Sequence, residues 1–223
     1  VLSIVPDIFP PSVRALFTGK EPGLQVAGLL GAGRIYFPLQ RHTAQVLHLE
    51  RADEPPQVAD AVITALRDVA LGLKVADCVP VLLYDPAHEV IGAVHAGWKG
   101  TARGLLRRTL GLMRECFGTR ARDVLMALGP AIRWCCYQVG EDVLQAVREA
   151  TGQGRYWLSR QGRLCLDLPE ANILQALGEG LRREHIWQAQ ECTYCMKELY
   201  SYRRDKTGQR QGGFIMLKGG GAS

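Results

Sequence analysis

A cysteine, a histidine and a glycine-rich exit share the stretch Lys74 to Gly100, KVADCVPVLLYDPAHEVIGAVHAGWKG. Cys78 and His95 are residue types that share one proton or one metal, which suits nucleophilic catalysis or metal ligation. Asp77 puts a carboxylate beside the cysteine. Lys99, just past the histidine, puts a cation where an anionic group could bind.

The elements that must position these residues read as a β-hairpin. Val79 to Tyr84 and Val90 to Val94 are rich in β-branched residues and flank Asp85-Pro86-Ala87-His88, a type I turn pattern. If Asp85 pairs with His88, Cys78 stands opposite His95, with Cβ atoms roughly 4.5 to 5.5 Å apart on one face. A bulge or slip would change the pairing, and Pro80 argues for a strand start or an edge.

Length and composition bound the rest. The chain has 223 residues, 47% of them hydrophobic and 22% charged, with no low-complexity linker, so one domain over 1–223 is expected. Neither a membrane-length apolar run nor a signal-peptide pattern is present, which points to a soluble cytoplasmic protein. Seven cysteines are an odd number in a chain too large to need staples, so reduced thiols are expected. The net charge of +5 is spread without basic runs, so nucleic acid is not indicated and an anionic small substrate is compatible.

In chain order, residues 1–39 are the least informative, and Gly28, Gly31 and Gly33 have the wrong spacing for a dinucleotide fingerprint. Alternation over Arg41 to His48 predicts a strand with His42 and His48 on one face, where a lone histidine usually serves as a hydrogen-bonding residue. Asp60 to Thr64 fits a helix end or a buried strand. Thr101 to Gly118 has helical spacing with Thr101 as N-cap, and free N–H groups at that helix start, together with Lys99, would seat phosphate. Asp123 to Gly129 reads as a strand and Glu141 to Ala150 as a helix burying Val143, Leu144 and Val147.

Cys135 and Cys136 are adjacent; on a strand they would face opposite ways, which favours packing over ligation. Tyr156 to Leu168 reads as a second hairpin around Gln161-Gly162, followed by a helix from Pro169 to about Arg183. Cys192 and Cys195 form a C-x-x-C that lacks an evident second ligand pair. Arg203 and Arg204, after two tyrosines, could clamp an anion. Gly213 to Leu217 closes the chain as a strand, and 218–223 as a flexible tail.

These motifs together resemble the purine nucleoside phosphorylase family of laccase-domain proteins, formerly called multicopper polyphenol oxidases. The resemblance rests on ADC-x-P-x-LL-x-D from Ala76, HAGWKG from His95, GPAI followed by CYQVG from Gly129, LDLPEAN from Leu166, and CT followed by SYRRDKTG from Cys192. It implies a metal held by His42, Cys78 and His95, with zinc expected and copper possible on this donor set. It also implies phosphorolysis of adenosine, inosine and S-methyl-5'-thioadenosine, adenosine deaminase activity, and a purine nucleoside and phosphate as partners. Asp77 is then the proton-moving carboxylate, with Lys99 and Arg203 as substrate contacts. The N-terminal part departs from the family by lacking an arginine and a G-G-x-S element, with Lys20 as a stand-in, and Arg133 replaces a small residue.

Three rivals stand beside this reading. A Cys–His hydrolase would use Cys78 and His95 without metal. A copper-dependent polyphenol oxidase would want many histidines, and the chain has five. A non-catalytic metal-binding domain would close the fourth position, with His48 as the residue to check. The expected fold is α+β, one domain, with mixed β-sheets including the central antiparallel hairpin and helices packed outside.

Overall fold

The two β-branched runs of the central stretch are buried along their whole length, so each needs cover on both faces. A computed structural model describes residues 2–22 and 24–219. In chain order the elements are β1 (Ser3–Ile4), β2 (Val13–Thr18), α1 (Ala27–Leu30), β3 (Arg34–Tyr36), β4 (Val46–His48), β5 (Ala61–Thr64), β6 (Val69–Val75), β7 (Val79–Asp85) and β8 (Val90–Ala96). Then follow α2 (Trp98–Ala102), α3 (Leu105–Phe117), β9 (Leu125–Leu128), β10 (Gln138–Val139), α4 (Glu141–Thr151), β11 (Trp157–Arg160), β12 (Arg163–Leu166), α5 (Leu168–Gly178), β13 (Ile186–Gln188), α6 (Tyr202–Asp205) and β14 (Gln211–Leu217).

Three sheets result, ordered β13-β9-β7-β8-β5-β4, β1-β2-β14-β6-β3 and β10-β12-β11. The first two are mixed, since β13–β9, β4–β5 and β3–β6 pair in parallel among antiparallel neighbours. On one face of the six-stranded sheet Val79, Val81, Leu83 and Val94 pack with Leu106, Leu110 and Met113 of α3 and Ile173 of α5. The intervening Leu82, Tyr84, Ile91 and Ala93 pack instead with Phe17, Leu71, Leu73 and Ile215 of the five-stranded sheet. The period of two along a strand thus assigns each residue to the helical layer or to the second sheet. The architecture is α+β, as expected, and no helix among the described residues is long and apolar enough to cross a membrane.

The hairpin register differs from the expected one. Asp85 pairs with Val90 and Pro80 with His95, so the loop holds four residues, with Glu89 in the left-handed region at φ 51°. The shift is two residues, which preserves the faces: Leu82, Ile91 and His95 still look the same way, while Cys78 stands in a bend just before β7. Pro80 lies inside the sheet, not at its edge. Its carbonyl accepts the Gly129 N–H just where β9 ends, so its missing N–H falls beyond the last rung of that ladder.

Three other expectations are corrected. His42 is not on a strand; it sits in a loop at φ 55°, and only Val46–His48 is extended. The helix after His95 begins at Trp98 and breaks at Arg103 and Gly104 before α3 starts. Thr101 is therefore buried inside α2, its N–H on the Gly97 carbonyl, and offers no free helix start for phosphate. Helix α5 ends at Gly178, ahead of Gly180 at φ 94°, short of the expected Arg183. Of the expected tail 218–223, the last four residues lie outside the described residues.

Candidate active site

Asp60, wholly buried just before β5, continues the β5–β8 pairing so that its carbonyl accepts the His95 N–H at 2.7 Å. Its carboxylate is the hub of the site. One oxygen meets His95 Nδ1 at 2.8 Å and accepts the His42 N–H at 3.0 Å. The other accepts the N–H groups of Arg41 and Thr43 at 3.2 and 2.6 Å and the Thr43 hydroxyl at 2.8 Å. These bonds hold the loop in the left-handed turn at His42 and orient the His95 ring, whose centroid is 4.9 Å from that of the His42 ring. Burial alone would raise the Asp60 pKa, but the bonds from His95 and Thr43 hold it well below the usual carboxylate range.

Cys78 Sγ lies 3.8 Å from His42 Nε2, and its thiol, the His42 ring and the His95 ring offer ligand atoms all within 4.8 Å of one another. Burial pushes the Cys78 thiol up, yet the charge of His95 and the bond from His42 outweigh it and bring the pKa down to about 6. Burial likewise works against protonated His95, but the facing Cys78 and Asp60 raise it to about 9. The backbone leaves room for this cradle only because residue 97 is glycine: a Cβ there would lie 2.9 Å from Cys78 Sγ and 3.2 Å from the His42 ring.

The donor set fits a transition metal. Two imidazoles and a thiol with a lowered pKa are zinc or copper ligands, and Nδ1 of His95 is already bound by Asp60, which leaves Nε2 to ligate. His48 is not the fourth ligand. It packs on the Phe117 ring at 4.9 Å and does not line the cleft.

A cleft of about 920 Å³ opens beside this group. His42, Asp77, Cys78, His95, Lys99 and Arg203 all line it, so these six residues meet in one place. Arg41, Lys74, Lys206 and Arg210 join them, cations that no sequence pattern links because they come from three separate segments, with Lys206 and Arg210 sharing the loop between α6 and β14. Tyr137 adds an aromatic wall, with the Arg203 guanidinium 5.0 Å from its ring centroid and a bond from that side chain to the Gln138 carbonyl at 2.8 Å. Burial, then the charge of Cys78, raises the Tyr137 hydroxyl to about 12. Asp77, at φ 87°, accepts from the Thr193 hydroxyl at 2.6 Å and from the Arg203 N–H at 2.7 Å, joining the Cys78 segment to the C-terminal segment. Lys20 stands over the Tyr200 ring, outside the cleft lining. Arg133 is paired with buried Asp167 at 2.8 Å, which accounts for an arginine at that position.

Residues 24–218 match the model of the multi-copper polyphenol oxidoreductase laccase family. A protein of Aquifex aeolicus named purine nucleoside phosphorylase is 38% identical over 194 residues, covering 87% of this chain and 82% of that protein. One of the same name from Clostridium acetobutylicum is 37% identical over 185 residues, covering 80% and 75%. Among solved structures, YlmD from Geobacillus stearothermophilus superposes with a TM-score of 0.87 at 28% identity, covering 94% of this chain and 93% of that one. The Bacillus licheniformis hypothetical protein YfiH does so with a TM-score of 0.85 at 29% identity, covering 92% and 93%.

Proposed function

Because the chain belongs to the multi-copper polyphenol oxidoreductase laccase family, with relatives named purine nucleoside phosphorylase, we propose that it is a zinc-dependent purine nucleoside phosphorylase. Its substrates are adenosine, inosine and S-methyl-5'-thioadenosine, and it deaminates adenosine as a second activity. The observation that carries the reading is the His42, Cys78 and His95 group opening onto a cleft with several cations and an aromatic wall.

In phosphorolysis a phosphate oxygen bonds to the anomeric carbon of the ribose, the bond to the purine nitrogen breaks, and the purine leaves with a proton. Lys99 and Arg203 bind the phosphate, helped by the other cations of the cleft. Tyr137 offers a face for the purine. His42, Cys78 and His95 would hold a zinc ion, which would supply Lewis acidity to the reaction. Asp77, between the cysteine and Arg203, moves the proton, with the Thr193 hydroxyl and the Arg203 N–H fixing its orientation. In deamination the same carboxylate carries a proton from the attacking water to the departing ammonia. The seven free cysteines suit a cytoplasmic location.

One observation favours a second reading. Cys78 down to about 6 and His95 up to about 9 make a thiolate–imidazolium pair, which a Cys–His hydrolase would use without metal. The polyphenol oxidase reading has less support: His88 bonds to Asp85 at the hairpin loop and His48 packs on Phe117, so neither joins the histidines of the cleft.

An assay of adenine release from adenosine, with and without phosphate, tests the proposal. Phosphate-dependent release that stops on metal removal is expected. Release without need of phosphate or metal would overturn it.

A further inference from the structure

Cys135 and Cys136 lie not on a strand but in a tight turn, where the N–H groups of Cys136 and Tyr137 both reach the Arg133 carbonyl at 2.9 Å. In a turn, consecutive side chains need not point to opposite sides. Here they meet Cys192 and Cys195, brought alongside by a parallel bridge between Ala131 and Cys192. The C-x-x-C segment is itself a turn, with the Cys195 and Met196 N–H groups on the Cys192 carbonyl at 3.1 and 3.0 Å.

The four sulfurs lie within 4.8 Å of one another, with Cys136 to Cys195 at 3.4 Å and Cys135 to Cys195 at 3.9 Å. Around a tetrahedral zinc with bonds of about 2.3 Å, sulfurs stand about 3.8 Å apart. An iron–sulfur cluster would need its cysteine sulfurs farther apart. The Arg204 side chain, itself paired with Asp205 at 2.7 Å, donates to the carbonyls of Thr193, Tyr194 and Met196 and braces the C-x-x-C loop.

We propose that Cys135, Cys136, Cys192 and Cys195 form a second, structural metal site that takes one Zn2+ as a closed tetrathiolate. Zinc replaces the thiol protons, which go to solvent, and no redox change is involved. The site fastens the turn that leads into Tyr137 to the loop whose Thr193 holds Asp77, and so fixes one wall of the cleft from outside it.

Zinc content of the full chain, supplied with zinc under reducing conditions, separates this site from the cleft site. Cys78→Ala is expected to keep about one zinc per chain, and cobalt exchanged into it should give the charge-transfer absorption of a tetrathiolate. Cys192→Ser with Cys195→Ser, added to Cys78→Ala, should lose that metal. Should the combined variant not fold, thiol titration of native Cys78→Ala protein decides. Cys116 and Cys165 alone react under the proposal, and the four others react once a chelator is added. No zinc in Cys78→Ala, free reaction of the four thiols despite added zinc, or a disulfide among them would overturn it. If the cleft binds no metal, wild type and Cys78→Ala carry equal zinc, and the cysteine site stands or falls separately.

Discussion

Asp60 Oδ1 lies 2.8 Å from His95 Nδ1 and accepts the His42 backbone N–H as well, so one buried oxygen aims one candidate ligand and fixes the loop of another. Metal-ligating histidines commonly rely on such a carboxylate for tautomer and orientation.

Asp60→Asn should therefore weaken zinc binding about 10- to 100-fold. Its amide nitrogen or oxygen must replace a carboxylate that accepts several donors, and leaving His95 without its partner should cost about 3–5 kcal/mol. The native Asp60 pKa is depressed from 3.8, so its contribution to stability is complete above that value and is lost as pH falls through the native one. Urea unfolding at several pH values should show the wild type losing stability in acid, with Asp60→Asn lacking that component.

Cys78, with its pKa at about 6, should alkylate in metal-free protein as a thiolate at neutral pH. Because the thiol is the unreactive form, the rate should fall as pH drops through about 6 and hold above it. Zinc should protect the residue. A midpoint near the ordinary 9.0 would contradict the pairing with His95 and His42.

Gly97→Ala tests the cradle sterically, since φ there is −75° and alanine meets no backbone strain. The new methyl, 2.9 Å from Cys78 Sγ, should displace the thiol and lower zinc affinity at least about 10-fold while the chain still folds. Equilibrium metal competition with a chelator measures this.

Arg203→Ala and Lys99→Ala should each raise the KM for phosphate about 10- to 100-fold, as expected on losing a charge-assisted contact of about 1.5–3 kcal/mol. Steady-state kinetics at saturating adenosine would show it, and an unchanged KM would remove that residue from the phosphate site.

What the sequence disclosed follows the physics of each part. The nearness of Cys78 to His95 was legible because an antiparallel hairpin brings the start of one strand beside the end of the other even when the register shifts by two, as it does here. His42 came only from the family resemblance, since its loop has no period to read and its left-handed turn depends on Asp60. Asp60 itself looked like the start of an ambiguous apolar run. The basic cleft was hidden because its cations are scattered along the chain and converge only on folding. The four-cysteine group was hidden for the same reason, compounded by treating a turn as a strand.

The most direct measurement is adenine release from adenosine by the purified protein and by Cys78→Ala, with and without phosphate, alongside the zinc content of each. Phosphate-dependent release by the wild type is expected, and in Cys78→Ala the loss of that activity together with about one zinc per chain. Equal zinc and equal turnover in the two proteins would contradict it.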